Sequence, residues 1–227
     1  VLTTLILAAG ESKRFGGVPK QLLEVTDGVQ MWEKSIDNLT HRAAVVALFQ
    51  EKHRGRVRKR YREATDVYIN PTRGQAETLS EGLRFLSLVR TKLDQELLVV
   101  NCDNGFGPHV LDDLVSSGRC TGQPTAVTFR ATPDEENRFS FVDGHPTFYS
   151  AQEKQAVSNF ALAGAYYFPS RDDLRFALDE VLGQTRGEPY ISHVYEHILG
   201  PKTSCNINRT HWYDWGTPAA LENWRSQ

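Results

Sequence analysis

The sequence predicts an α/β fold, a Rossmann-like three-layer α/β/α arrangement whose mixed sheet is mainly parallel. Three observations carry that expectation. Short apolar runs at 5–8, 44–49, 67–70 and 97–101 have the length and composition of buried strands. Apolar residues recur at helical spacing over 31–39, 77–89 and 110–117. Strand-like and helix-like segments alternate, the order expected of a sheet covered on both faces. At 227 residues the chain can bury a large core.

Taken in order, TTLILAAG at 3–10 carries an unbroken apolar run from Leu5 to Ala8 and reads as a first strand. It is too short, and too soon followed by charge, for a signal peptide. The chain opens on Val1 rather than methionine, which leaves processing and excision from a longer protein open. KHRGRVRKRYR at 52–62 falls between two expected strands and reads as a solvated crossover helix. Its aromatic interleaving is limited to Tyr61 and the chain's net charge is −2, which argues against nucleic acid as a partner.

Beyond about residue 125 the pattern changes. Strands are expected at 126–130 and 161–168, and SFVDGHPTFYS at 140–150 offers two extended arms around an Asp143-Gly144 turn. Helices at 172–182 and 191–199, a short strand near Cys205 and a last helix from Pro218 complete the chain. Hydrophobicity does not drop anywhere, so the expectation is one domain with two lobes, 1–125 and 126–227. No apolar run nears the roughly 18 residues of a membrane span. Three widely spaced cysteines without a C-x-x-C pair argue against a disulfide framework or thiolate zinc site, and suit a cytoplasmic setting.

The stretch LAAGESKRFGGVPKQLLEV at 7–25 asks for a chemical explanation. Backbone N–H groups point outward where a strand gives way to a helix, and ligands gather there. Gly10 lets the backbone approach a ligand closely, and Gly16 and Gly17 keep the next segment pliable. Arg14 offers a planar fork to phosphate oxygens, Lys20 a movable point charge. Pro19 holds Val18 extended and so sets where Lys20 begins. Neither the kinase-type phosphate loop nor the G-x-G-x-x-G dinucleotide fingerprint is present.

This stretch resembles the signature of the sugar-nucleotide pyrophosphorylase superfamily, L-A-A-G, a short spacer, an arginine, then P-K. Ser12 stands where many members carry a second glycine. The resemblance continues in PTRGQAETLSEGL, similar to the base-recognition loop, and in LLVVNCDNGF, which ends in a metal-binding aspartate. FSFV, EK at 153–154, GAYYF and GEPYISHVYEHIL resemble acceptor-side segments of members acting in surface-polysaccharide and phosphocholine-type pathways. WYDWGTPAALENW resembles the closing segment with a second metal-binding aspartate.

The resemblance implies an Mg²⁺-dependent nucleotidyltransferase. A phosphate oxygen of a small phosphorylated acceptor, a sugar phosphate or phosphocholine-like compound, attacks the α-phosphorus of a nucleoside triphosphate, and pyrophosphate leaves. It implies Arg14, Lys20 and Asp103 as catalytic, with Arg14 on the β and γ phosphates and Lys20 on the α-phosphate. Leu7, Ala8, Ala9, Gly10, Gly74, Gln75 and Asn101 would complete the nucleotide site. Asp103 and Asp214 would hold the metal, a hard cation that takes carboxylates and phosphate oxygens. Lys154, Gly164 and Tyr190, with Phe141 nearby, would face the acceptor. Gln75 can pair with a pyrimidine or a purine edge; likeness to the phosphocholine-type members favours a pyrimidine, CTP or UTP/dTTP. The cytidylyltransferases for molybdenum cofactor or isoprenoid precursors share the opening loop but lack GAYYF and WYDWGTP. A non-catalytic nucleotide sensor of the same fold is the reading from another class.

Two other patterns invite competing readings. HVYEH at 193–197 spells a zinc-peptidase motif, yet only Glu222 remains downstream as a further ligand, so its histidines are expected as amphipathic helix positions. Cys102 has no readable base partner and is assigned to packing. Trp212, Tyr213 and Trp215 either wall the metal site or pack the core. The sequence leaves the oligomeric state open.

Overall fold

A strand buried along its whole length opens the chain, as the apolar run predicts. The computed structural model describes residues 2–26, 28–41, 43–58, 63–89 and 96–226. In chain order the strands of the first half are β1 (Leu2–Ala8), β2 (Glu24–Thr26), β3 (Val29–Gln30), β4 (Ala43–Gln50), β5 (Thr65–Ile69), β6 (Leu97–Asn101) and β7 (Asn104–Phe106). The second half adds β8 (Thr125–Arg130), β9 (Ser140–Val142), β10 (Thr147–Phe148), β11 (Ala151–Glu153), β12 (Phe160–Phe168), β13 (Lys202–Ile207) and β14 (Trp212–Asp214). Helices are α1 (Met31–Lys34), α2 (Gln75–Leu88), α3 (Val110–Thr121), α4 (Arg171–Gln184), α5 (Ile191–His197) and α6 (Pro218–Arg225).

The main sheet runs β10-β13-β8-β12-β6-β1-β4-β5, with β9 and β11 attached beside β12. β6, β1, β4 and β5 are parallel, and so are β13 and β8. β12 is antiparallel to both of its neighbours, β6 and β8, and so joins the two halves in one sheet. Side chains alternate between the faces. Leu5 and Leu7 pack with α2, α4 and α5 residues in one core, while Leu2, Ile6 and Ala8 pack with Trp32 and α3 in the other. The expected mixed, mainly parallel α/β architecture is what the chain adopts. No helix among the described residues is long and apolar enough to cross a membrane.

Three local expectations need correction. The helix expected over 31–39 stops at Lys34. From there the backbone bonds three residues apart, Ile36 N–H to Glu33 O at 3.2 Å and Leu39 N–H to Ile36 O at 2.9 Å. Over two turns, spacings of three and 3.6 residues bring the same apolar side chains inward. The crossover helix expected over 52–62 is a single 3-10 turn, Glu51–His53. Gly55 follows at φ +79, a conformation no helix contains. Residues 59–62 lie outside the described residues. The arms at 140–150 do not form a tight hairpin, because β9 pairs with β11 instead. The Asp143 carboxylate accepts the N–H groups of Tyr149 (2.8 Å) and Ser150 (3.2 Å), which closes a longer loop. Within that loop β10 leaves to pair with β13.

α3 lies so close to β12 that a Cβ on Gly118 would stand 2.1 Å from the Tyr167 ring. Tyr167 is fixed in turn, its hydroxyl donating to Glu96 Oε1 at 2.7 Å. Gly118→Ala should therefore destabilise the fold by about 1–3 kcal/mol despite alanine's better helix propensity, read as a lowered midpoint in urea unfolding.

Candidate active site

The first loop leaves β1 through Ala9, which is buried, and Gly10, which is exposed with open space where a Cβ would stand. Two 3-10 turns follow, Lys13–Phe15 carrying Arg14 and Lys20–Leu22 carrying Lys20. Lys20 extends across to β6's end, where its Nζ lies 2.5 Å from Asp103 Oδ2.

A second device supplies Asp214. β7 pairs antiparallel with β14 and sets Asp214 opposite Asn104, the residue after Asp103. The Trp215 N–H donates to Asp103 O at 2.9 Å, tying the two segments again. Gly216 lies between the two acids: a Cβ there would be 2.9 Å from Asp214 Oδ1 and 3.2 Å from Asp103 Oδ2. Two carboxylates far apart in sequence thus face one cleft.

Their electrostatics differ. Burial pushes the Asp103 carboxyl up, but the charge and hydrogen bond of Lys20 outweigh it and hold it below the usual value. Lys20 moves the opposite way, its burial overcome by Asp103. The Asp214 carboxyl is raised, first by burial, then by the negative charge of Asp103, despite the Gly216 N–H at 2.8 Å. Arg138 approaches Asp214 Oδ2 only to 3.5 Å. Asp103 and Asp214 are the side chains that could hold a divalent cation.

The cleft encloses about 170 Å³. Arg14, Gln75, Asn101, Asp103 and Asp214 line one part, and Lys154, Gly164 and Tyr190 another. Lys20 reaches it through its contact with Asp103. The side chains of Leu7, Ala8 and Ala9 lie in the core, so only their backbone is near the loop, and Ala9 O already accepts from Gln50 Nε2 at 2.6 Å. Gly74 lies against Pro189, whose carbonyl oxygen would be 2.7 Å from a Cβ there. Gln75 Oε1 accepts the Ile191 N–H at 3.4 Å.

Phe141 is a correction. It is fully buried in the core, because Ser140, on the opposite face of β9, is the residue turned to the cleft. Glu153 Oε2 accepts from the hydroxyls of Ser140 and, at 3.0 Å, Ser192. Lys154 adopts φ +52, and its Nζ donates to Tyr190 Oη at 3.3 Å. Tyr190 Oη donates to Glu188 Oε2 at 2.7 Å. Gly164 sits at φ +87 where the β12–β8 register shifts, a bulge that lets Asn104 and Asn101 approach.

The aromatic cluster divides between the two uses the sequence left open. Trp212 lines the cleft, stacks on Phe129 at 4.3 Å and donates Nε1–H to Asn104 Oδ1 at 3.1 Å. Tyr213 packs on Trp224, and Trp215 is buried beneath Gly105. Cys102 is buried and its thiol pushed up to about 12, first by burial and then by Asp103, as suits a packing residue. His193 Nδ1 accepts the Tyr190 N–H at 3.2 Å and so caps α5. Sequence reasoning gave no role to Asn104, Arg138 or Glu153, although Asn104 stands in LLVVNCDNGF and Glu153 in the EK pair. Asn104 and Glu153 each adjoin a predicted residue, which was the available signal; Arg138 follows no pattern. A larger apolar hollow of about 340 Å³, beside Phe168, Phe176 and Leu199, contains none of the predicted site residues.

Residues 4–168 match a family model described as the MobA-like NTP transferase domain. No curated protein sequence matches the chain. Among solved structures, it is similar to a nucleoside-diphosphate-sugar pyrophosphorylase from Vibrio cholerae RC9. Identity is 21%, coverage 98% of this chain and 100% of that one, and the TM-score 0.83. It is also similar to a UDP-glucose pyrophosphorylase complexed with UDP-glucose, at 14% identity over 99% and 97% of the two chains, with a TM-score of 0.79. These likenesses establish the fold.

Gly164→Ala should both strain the backbone and drive a methyl into Asn104 Nδ2, 2.4 Å from the built Cβ. The expected loss is roughly 1–3 kcal/mol, accompanied by a changed near-UV signal from Trp212, seen by thermal melts and circular dichroism.

Proposed function

The chain belongs to the MobA-like NTP transferase family and is a nucleotidyltransferase, and from that premise we propose its reaction in more detail. It transfers a nucleoside monophosphate from a pyrimidine triphosphate, CTP or UTP/dTTP, to a small phosphorylated acceptor, and pyrophosphate leaves. The acceptor class is a sugar phosphate or phosphocholine-like compound, for surface-polysaccharide synthesis. One observation carries this reading: Asp103, Asp214 and Lys20 meet at one cleft that also exposes Arg14 and Lys154. The family match ends at residue 168, so the place of Asp214 rests on this geometry.

The donor set fits Mg²⁺. The two carboxyls are close enough for the charge of one to raise the other, a cost that a divalent cation relieves. Among the described residues no third metal-ligating side chain joins them, which suits a hard cation completed by phosphate and water oxygens. When bound, the metal supplies positive charge to the α-phosphate oxygens. The chain's residues do the rest. Arg14 holds the distal phosphates, and Lys20 turns from Asp103 toward the α-phosphate, neutralising charge that grows in the transition state. Lys154, with Tyr190, holds the acceptor phosphate for in-line attack. Gly10 gives the nucleotide room against the loop. Gln75 has its carbonyl oxygen engaged, which leaves its amide as a donor to a base carbonyl; the choice of a pyrimidine rests on likeness to the phosphocholine-type members. The division of labour is between a nucleotide lobe, 1–125, and an acceptor lobe, 126–227.

The test is a screen of four triphosphates against sugar phosphates, phosphocholine and related esters, scored by Mg²⁺-dependent pyrophosphate release. Nucleotide binding without release under every pairing would favour a sensor instead. Lys20→Ala should lower kcat by about 10²–10³ while the Kd for nucleotide changes little; comparable losses in both would contradict the assigned role. Asp214→Asn should remove the stimulation by Mg²⁺ in the same assay.

A further inference from the structure

Ser12 is the residue that departs from the glycine of the resembling signature, and it adopts the left-handed conformation glycine favours, φ +56. It is buried, and its carbonyl and hydroxyl both bond within the loop. Its carbonyl accepts the N–H groups of Phe15 (2.9 Å) and Gly17 (3.3 Å), closing the turn that carries Arg14. Its hydroxyl accepts the Lys20 N–H at 2.9 Å and donates to Gln21 Oε1 at 3.2 Å. A single residue, through its carbonyl and its hydroxyl, thereby connects the two cationic turns.

The next link lies outside the loop. With Oε1 taken by Ser12, Gln21 turns its amide Nε2 to His53 Nδ1 at 3.1 Å. Gln21 and His53 are 0% and 2% exposed, so this is a buried polar chain in which each member needs the next. The geometry requires His53 to present an unprotonated Nδ1 to the Gln21 donor. Burial, with Lys52 and Arg56 close by, holds the imidazole below its ordinary value, which favours that neutral form. Three residues earlier, Gln50 donates Nε2–H to Ala9 O at 2.6 Å. The end of β4 and the 3-10 turn after it therefore hold the loop on both sides, Gln50 at Ala9 and His53 at Gln21.

We propose that Ser12, Gln21 and His53 are positioning residues for nucleotidyl transfer, a buried relay that fixes the first loop so that Lys20 stands at the reacting phosphate. The inference rests on the role given to Lys20 above. A surface reading of the basic segment at 52–62 gives His53 no task; its enclosed ring contact with Gln21 gives it this one. The catalytic groups remain Arg14, Lys20 and the two aspartates, and the relay acts only through them.

Three variants test this: Ser12→Ala, His53→Leu and His53→Asn. Alanine removes both hydroxyl bonds and keeps the backbone demand of an L-residue at this φ. Leucine fills the imidazole's space without an acceptor, and asparagine places an amide oxygen near the position of Nδ1. Ser12→Ala and His53→Leu should lower kcat between about tenfold and a hundredfold, with KM for the acceptor within about twofold, whereas His53→Asn should recover most of the loss. The Lys20 amide should exchange its hydrogen faster in the first two variants and at the wild-type rate in the third, measured by hydrogen exchange in protein of unchanged melting temperature. Unchanged exchange in Ser12→Ala, or faster exchange with kcat intact, would overturn the proposal. So would an equal loss in both His53 variants. If wild-type protein releases no pyrophosphate with any acceptor, the reaction assigned above fails instead, and exchange at Lys20 still decides whether the relay holds the loop.

Discussion

Two like charges held side by side are the constraint around which this structure is arranged. Carboxylates repel, and an aspartate buried near another is driven toward protonation unless something positive answers it. The chain answers Asp103 with Lys20 at 2.5 Å and leaves Asp214 with a distant Arg138 and a backbone N–H. The fold keeps the arrangement in place by backbone pairing: β14 is zipped to β7, and the Trp215 N–H is bonded to Asp103's own carbonyl. The cleft thus sets two acids beside Arg14, Lys20, Arg138 and Lys154, carboxylates for a cation and cationic side chains for phosphate oxygens.

The supporting shell is economical. Gly164 clears space for Asn104, Asn104 accepts from Trp212, and Trp212 also donates to Ala163 O at 2.9 Å, two residues' worth of backbone around the same bulge. Glu135 accepts both terminal nitrogens of Arg209 at 2.6 Å and Arg138 Nη1 at 3.5 Å, while Arg138 Nη2 reaches Asp214 Oδ2 at 3.5 Å. These contacts confine the cleft walls from the β12 side as the first loop confines them from the β1 side.

Much of the fold was legible because burial writes directly into the sequence. β1, β4 and β6 are covered on both faces, so every position but the terminal Gln50 and Asn101 is apolar or small and the runs stand out. The short ribbons were not legible. β7 and β14 have three residues each, too few for any period to show, yet their pairing sets Asp214 opposite Asn104. Lys20, Asp103 and Asp214 were singled out through motif resemblance, since nothing in local spacing says that distant acids converge. His53 was hidden for a different reason: a basic stretch looks solvated throughout, and only tertiary packing reveals that one imidazole is turned inward. Phe141 was misplaced because a motif names a segment, whereas strand alternation decides which of its side chains looks into the cleft.

The order of strands along the chain has a consequence for synthesis. β14 follows every other described strand, so a nascent polypeptide can pair the parallel strands β1, β4, β5 and β6 and shape the first loop before its second acid has been synthesised. Until that last ribbon docks, the emerging protein holds a lone aspartate neutralised by lysine. Docking of β14 on β7 and the meeting of the two acids are then one event.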